Sequence, residues 1–169
     1  MIVIPFLSAM SVLAAKDNEM HSYLEIADAI RQMSVSPKAD LEALWRRIVF
    51  NVLISNVDDH LRNHAFLYSG LAGWCLSPAY DLNPTPTDIK PRILSTAIDL
   101  VDPSASVDLA IDVAHYFDLD HTQAMKIMKE VGTATASWRK VAIKLKIKKA
   151  EIDRMASAFE HEDLQKTRK

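Results

Sequence analysis

The stretch from Pro37 to Asn63 constrains the fold more than any other part of the chain. Its first part spaces apolar residues at helical intervals, which predicts a helix from Pro37 to about Ile54. Ser36 offers an N-cap, and proline suits the first helical position. The far end of this helix, FNVLISN (50–56), is apolar on nearly every side. Because a helix that is hydrophobic all round is buried, we expect this end to lie in the core.

The remaining residues favour a mainly helical fold, with 1–169 forming one domain. Only 3 of the 169 residues are glycine and 49% are hydrophobic, which is too apolar for a disordered chain. Helical spacing recurs at 20–33, from Ser106 to about Phe117, from a capping box at Asp120 to about Ala142, and from about Lys149 to His161. The tail after Glu162 is polar, and we expect it to fray.

Residues 2–15 contain no charged side chain. A secretory signal needs a positive region before its apolar stretch, and a membrane span needs about 20 apolar residues. Pro5 and Ser8 interrupt this stretch further, so we interpret it as buried structure, with a signal or a membrane-surface segment as the alternatives. The single cysteine, Cys75, allows no internal disulfide. These features predict a cytoplasmic protein without membrane association.

Two short segments with aromatic residues follow, AFLYS (65–69) and WCLSPAY (74–80). The residues that join them, 70–73, include two glycines, which is typical of a β-hairpin. Residues 83–91 contain three prolines and form a loop. The predicted fold class is therefore a helical domain with one small β-hairpin inserted near residue 65.

A polar cluster lies between the buried helix and the hairpin. It contains Asp58, Asp59, His60, Arg62 and Asn63. The hairpin would carry the chain back and present Asp81 at the end of its second strand. Carboxylates and a carboxamide would then meet at one end of the helical domain, and such hard oxygen ligands suit Mg²⁺.

The order and spacing of these residues indicate a kinase. Protein kinases use a catalytic-loop Asp as the base, an Asn five positions later as a metal ligand, and a second metal-binding Asp after a hairpin. Asp58 and Asn63 are five positions apart, and Asp81 follows the predicted hairpin. The spacing of the first pair alone arises easily by chance. Coupled to the hairpin and the second Asp, it becomes moderately specific.

The segments around these residues resemble the C-terminal region of HipA-type serine/threonine kinases, the toxins of bacterial toxin–antitoxin pairs. The likeness is carried by IPFLSAMS (4–11), SYLEIADAI (22–30), LWRRIVFNVLISNVDDHLRNH (44–64) and LSPAYDLNP (76–84). Residues 95–110 and 151–161 also resemble this region, so the likeness covers nearly the whole chain. The pair NVDDHLRNH and AYDLNP is its most specific part.

This resemblance implies roles for individual residues. Asp58 would be the catalytic base that accepts the proton of a substrate hydroxyl, and Asn63 and Asp81 would hold Mg²⁺ on the ATP phosphates. His60 lies two positions after the base, where eukaryotic kinases place a lysine, so it would contact the transferring group. The implied partners are a protein substrate, such as an aminoacyl-tRNA synthetase, and a HipB-like antitoxin.

A kinase also needs a lobe that clamps the nucleotide through a Gly-rich loop and a lysine. The three glycines, Gly70, Gly73 and Gly132, form no such loop. In HipA-type kinases that lobe precedes the region matched here. We therefore expect this chain to need an N-terminal lobe, supplied by a separate chain or lost by truncation, and to lack kinase activity and firm ATP binding by itself.

Other functions fit parts of the sequence. Asp58, Asp59 and His60 could be the metal ligands of a phosphohydrolase, although such sites need further His or Asp clusters. The basic residues between 139 and 149 could bind nucleic acid, but we interpret them as a solvated helix face, since the net charge is −2 and gives no general attraction to polyanions. A non-catalytic remnant that binds partners through its helical faces is the main alternative to the kinase.

Overall fold

The computed structural model describes residues 4–17, 19–70 and 73–168. In these residues the helices are α1 Ala9–Val12, α2 Tyr23–Met33, α3 Pro37–Leu53, α4 Val107–Asp112, α5 His121–Thr135, α6 Trp138–Lys144, α7 Lys149–Arg154, α8 Ala156–Phe159 and α9 Glu162–Lys166. Short 3₁₀ turns occupy Leu61–Asn63 and Ala114–Phe117. The strands are β1 Phe6–Ser8, β2 His21–Ser22, β3 Ala65–Tyr68, β4 Trp74–Leu76 and β5 Thr96–Ala97.

Helix α3 is the centre of the domain and confirms the helix predicted from Pro37. It packs against α2, α4 and α5, and its inward stripe of Leu41, Leu44, Trp45 and Ile48 is fully buried. The Trp45 indole donates a 2.9 Å hydrogen bond to the carbonyl of Ala110 in α4. A buried indole N–H that lacked such a partner would cost stability, so this bond fixes α4 against α3.

The predicted hairpin is present as an antiparallel pair, with Phe66 opposite Leu76. The tip residues 71–72 lie outside the described residues. The second strand ends at Leu76 rather than continuing to residue 80, because Pro78 cannot donate to a strand ladder. The sequence did not predict the third strand, β1, which pairs with β3.

The prediction of a buried N-terminal stretch holds for Ala9 but is wrong for its first described residues. Ile4, before β1, and Phe6, at its start, are each 56% exposed, because β1 lies at an edge of its sheet. Residues 2–3 lie outside the described part. None of the described helices is long and apolar enough to cross a membrane.

The C-terminal third differs from the prediction in where its helices end. The capping box at Asp120 is present, but the helix stops at Thr135 and α6 begins at Trp138. The break coincides with Ser137, whose hydroxyl donates to the carbonyl of Ala134 at 2.7 Å. Such bonds to the preceding turn often bend helices. The last predicted helix is likewise divided, into α7 and α8.

The prediction that the tail frays is wrong. Residues after Glu162 form α9, in which Asp163 and Leu164 are buried. The following residue Thr167 packs against Gly132 of α5 so closely that a Cβ at Gly132 would lie 2.0 Å from the Thr167 hydroxyl oxygen. Glycine at this position therefore lets α9 dock on α5.

Candidate active site

The polar cluster begins where α3 ends. After Leu53 the chain turns sharply through Ser55, which adopts a left-handed backbone conformation with φ of 52°. The Asn56 N–H then returns to the Asn51 carbonyl at 2.9 Å. This turn directs residues 57–63 back across the end of the helix instead of away from it.

Asp59 anchors this segment in the core. It is 1% exposed, and its Oδ2 atom accepts hydrogen bonds from the Tyr23 hydroxyl at 2.6 Å and the Asn51 amide at 2.8 Å. The third contact to Oδ2 is His64 Nε2, at 2.8 Å. Asn56 completes the cluster by donating to Asn51 Oδ1 at 3.0 Å. A buried carboxylate is stable only when it is well hydrogen-bonded, so these donors fix the position of Asp59.

The electrostatic effects of this cluster extend to its neighbours. Burial, and then the charge of Asp59, raises the pKa of the Tyr23 hydroxyl well above its usual range. Burial lowers the pKa of Arg47, an effect that the charge of Asp59 opposes. The Arg47 guanidinium also donates to the Ser77 carbonyl, which ties the chain after β4 to α3.

Asp58 has the opposite environment to its neighbour. Its side chain is 67% exposed, and its Oδ1 atom lies 3.7 Å from the Lys90 ammonium. The Asp58 carboxylate is therefore held by an anchored backbone and is open to solvent. The structure therefore separates the two adjacent acids into an anchored one and an available one.

Asn63 and Asp81 lie together, as the predicted hairpin implied. The Asn63 amide donates to Asp81 Oδ2 at 2.6 Å, and the Asn83 amide donates to Oδ1 at 2.6 Å. Asp81 adopts a left-handed conformation with φ of 56°, five residues beyond the end of β4 rather than at it. Nonglycine residues with positive φ are uncommon and cluster at functional sites.

The chemistry of this pair fits Mg²⁺. The Asn63 side-chain oxygen is buried and has no hydrogen-bond partner in the described part of the chain. A buried amide oxygen without a hydrogen-bond donor destabilises the fold unless water or a ligand contacts it. Each Asp81 oxygen accepts one amide hydrogen bond and retains further lone pairs. One carboxylate and one amide oxygen, completed by phosphate and water, match the ligand set of Mg²⁺.

The phosphohydrolase alternative finds no support in this geometry. Three donors already surround Asp59, whereas Asp58 faces solvent. Across residues 4–17, 19–70 and 73–168, no group of three His, Cys, Asp or Glu side chains is arranged to hold a metal ion.

His60 lies beside a separate polar pocket of about 420 Å³. His21, Arg62 and Thr96 also line this pocket, between the N-terminal segment and the 3₁₀ turn. The His60 Nδ1 atom is buried and has no hydrogen-bond partner among the described residues. The expected contact of His60 with a transferring group stays a prediction.

An ion pair between Arg92 and α9 holds the end of α3 in place. Arg92 donates to Asp163 Oδ2 at 2.5 Å, to the Val52 carbonyl at 2.9 Å and to the Ser55 hydroxyl at 3.2 Å. Asp163 also accepts the N–H of Val107 at 3.1 Å. Helix α9 therefore helps to hold the turn from which the polar cluster starts.

Sequence reasoning missed Tyr23, Asn51 and His64 as members of the site. One signal was available: Asn51 lies in the apolar end of α3, and an amide there needs a buried partner. The sequence did not reveal that this partner was Asp59.

Comparison with known proteins identifies the family. The model of the HipA-like C-terminal domain family matches residues 3–161. The chain belongs to this family.

The relatives and structures that resemble this HipA-like domain are longer proteins. A Haemophilus influenzae protein, provisionally named a kinase, is 39% identical over 66 residues, which are 38% of this chain and 19% of that protein. The kinase Y4dM of Sinorhizobium fredii, also provisionally named, is 48% identical over 44 residues, which are 26% of this chain and 11% of that protein.

The fold matches that of HipA from Shewanella oneidensis MR-1, solved in a toxin–antitoxin complex with HipB and its operator DNA. The TM-score is 0.75 at 15% identity, and the match covers 97% of this chain and 43% of that HipA chain. At this identity the likeness concerns the fold, and it confirms the mainly helical architecture. The HipA-like domain thus spans less than half of that protein.

Proposed function

We propose that this HipA-like domain is the catalytic lobe of a protein serine/threonine kinase that transfers the γ-phosphate of ATP to a protein hydroxyl. The contact between Asn63 and Asp81 carries the proposal, because it brings the amide and the acid of the kinase pattern within 2.6 Å of each other across 18 residues. Asp58 precedes Asn63 by five positions, as the catalytic base does in kinases.

In this proposal the reaction is an in-line displacement at phosphorus. The substrate oxygen forms a bond to the γ-phosphorus, the bond to the bridging oxygen of ADP breaks, and the Asp58 carboxylate accepts the hydroxyl proton. Asn63 and Asp81 would hold Mg²⁺, which neutralises charge on the phosphates. The Asp59 cluster keeps the loop in place, so the catalytic power comes from positioning and electrostatics.

The nucleotide itself requires a second lobe with a Gly-rich loop and a lysine. We propose that this lobe acts together with the HipA-like domain, in the same or a separate polypeptide, and that the domain has little activity without it. The S. oneidensis HipA was solved with HipB. By analogy we propose a HipB-like antitoxin as a partner and the cytoplasm as the compartment.

A reconstitution experiment tests this function. The 169-residue chain is incubated with labelled ATP and Mg²⁺, alone and with the polypeptide encoded immediately upstream. We expect phosphate transfer to protein only in the mixture. Asp58→Ala should lower the rate of this transfer by about 10²–10⁴-fold.

Asp112→Ala, which removes another exposed carboxylate, is the matched control and should leave transfer unchanged. Transfer that survives Asp58→Ala at the parent rate would rule out the assigned base. Failure of every mixture to transfer phosphate would favour the non-catalytic, partner-binding alternative.

A further inference from the structure

The segment from Val141 to Ile147 exposes large apolar side chains that the catalytic proposal does not use. It comprises the end of α6 and the turn after it. Val141, Ile143, Leu145 and Ile147 are each between 42% and 67% exposed. Single exposed apolar residues are ordinary, but several that share one surface mark an interaction site.

Three of these residues line a concave surface, which we call the α6 groove. The groove has a volume of about 400 Å³. Its lining includes Phe50, Trp138, Val141, Leu145, Ile147 and Phe159. The rings of Trp138 and Phe159 stack 4.5 Å apart with an angle of 9° between them, so the groove has a firm aromatic wall. This volume accommodates a few large side chains.

Lysines lie next to the groove-lining residues Val141, Leu145 and Ile147 along the chain. Lys140, Lys144, Lys146, Lys148 and Lys149 are all exposed, and within the described residues none of them pairs with a carboxylate. The neighbouring Arg139 is different, because Glu160 and Asp153 neutralise it. In a chain whose net charge is −2, this is a local concentration of uncompensated positive charge.

We propose that the α6 groove binds an acidic amphipathic segment of a partner protein. Large apolar side chains of the segment would occupy the groove, and Asp or Glu residues beside them would face the lysines. Charge complementarity of this kind accelerates encounter and fixes the register, whereas the buried apolar side chains provide most of the affinity.

The shape and composition of the surface favour this occupant over two other polyanions. Nucleic acid binds through phosphate contacts and gains little from exposed Val141, Leu145 and Ile147. A lipid surface suits a helix whose apolar face projects outward, whereas these three side chains line a concavity. The groove residues include none of the residues assigned to catalysis, so the inference is independent of the proposed kinase activity.

Selection from a random peptide display library tests the proposal. The full chain serves as the target, and the enriched peptides are then measured against the variant Leu145→Glu/Ile147→Glu, which takes no part in the selection. We expect the enriched peptides to combine at least two large apolar residues with net negative charge. Their affinity should fall about tenfold or more both in the double variant and in Lys144→Glu/Lys146→Glu, because each variant removes one half of the complementarity.

Val101→Glu is the control for adding charge at an exposed aliphatic residue away from the groove. It should bind the selected peptides like the parent. Thermal unfolding of each variant checks the fold, which these exposed positions should leave intact.

Four binding results would overturn the proposal. They are selection of neutral or basic peptides, no enrichment at all, equal binding by the groove variants, and tighter binding of duplex DNA or of phosphatidylserine-containing vesicles than of any peptide. Self-association that Leu145→Glu abolishes in sedimentation experiments would also overturn it, in favour of a second copy of the chain as the occupant.

Discussion

Tyr23 and Asp59 lie 36 positions apart in the chain, and the Tyr23 hydroxyl donates a 2.6 Å hydrogen bond to the Asp59 carboxylate. This bond joins the start of α2 to the loop that carries Asp58. The Asn51 amide donates to the same carboxylate, so α2 and α3 together determine where the loop lies.

Asp59→Asn should destabilise the protein although the substitution preserves shape. It removes the charge that three buried polar groups surround, and we expect a loss of about 3 kcal/mol in the free energy of unfolding. Urea denaturation measures this loss. Asp58→Asn changes the exposed neighbour and should alter stability by less than about 0.5 kcal/mol. Equal effects of the two substitutions would contradict the anchoring role of Asp59.

Tyr23 should give the protein a component of stability that disappears at alkaline pH. Because the folded protein raises the pKa of Tyr23 well above its ordinary value of 10.0, the unfolded chain ionises first. This contribution is fully present below about pH 10 and is lost as the pH rises through the higher folded pKa. The stability difference between the parent and Tyr23→Phe should therefore shrink above pH 10 in denaturation experiments. A constant difference would exclude the effect.

Asp81→Asn should weaken Mg²⁺ binding in the phosphate-transfer reaction that we propose. The substitution keeps the size of the side chain but replaces one anionic oxygen by an amide. We therefore expect the Mg²⁺ concentration for half-maximal transfer to rise by about 10–100-fold. Titration of transfer against Mg²⁺ measures it. Asp112→Asn makes the same chemical change at another exposed site and should leave the midpoint unaltered. An unchanged midpoint in Asp81→Asn would remove this residue from the metal site.

Arg92→Gln should cost far more stability than the loss of an exposed ion pair. Arg92 joins Asp163 to the end of α3 in a partly buried position, so we expect a loss of about 3 kcal/mol. Arg154→Gln breaks the exposed pair with Asp88 and should cost less than about 1 kcal/mol. Chemical denaturation compares the two variants. Similar losses of stability in the two variants would show that the contact between Arg92 and α9 does not hold the end of α3 in place.

Gly132→Ala should destabilise the parent by about 1–3 kcal/mol, because the new methyl group would overlap Thr167. In a Thr167→Gly background the overlap disappears, and the higher helix propensity of alanine should make the same substitution stabilising by about 1 kcal/mol. A double-mutant cycle measured by thermal unfolding reports this change of sign. The same sign in both backgrounds would argue against the close packing of α9 on α5.

The sequence predicted elements that local signals define. Pro37 at a helix start, the Asp120 capping box and the glycines at the hairpin act over a few residues, and the structure contains all three features. It also brings Asn63 and Asp81 together, while their role as metal ligands stays a prediction.

The elements that the sequence mispredicted depend on distant partners. Helix α9 looked like a fraying tail because its acids are polar, but Asp163 is satisfied by Arg92, 71 positions away, and by Val107, 56 positions away. The role of Asp59 likewise depends on Tyr23, which belongs to a different helix. Periodicity and spacing contain no information about such pairings.

The position of Asp163 along the chain has a consequence for synthesis. A ribosome makes Val52, Ser55 and Asp58 long before it makes the acid that neutralises Arg92, and domains tend to fold as they emerge. The turn that precedes Asp58 therefore lacks the ion pair between Arg92 and Asp163 until α9 has been translated. A nascent chain interrupted before residue 163 would contain the complete motif but would lack the carboxylate that holds Arg92 against the end of α3.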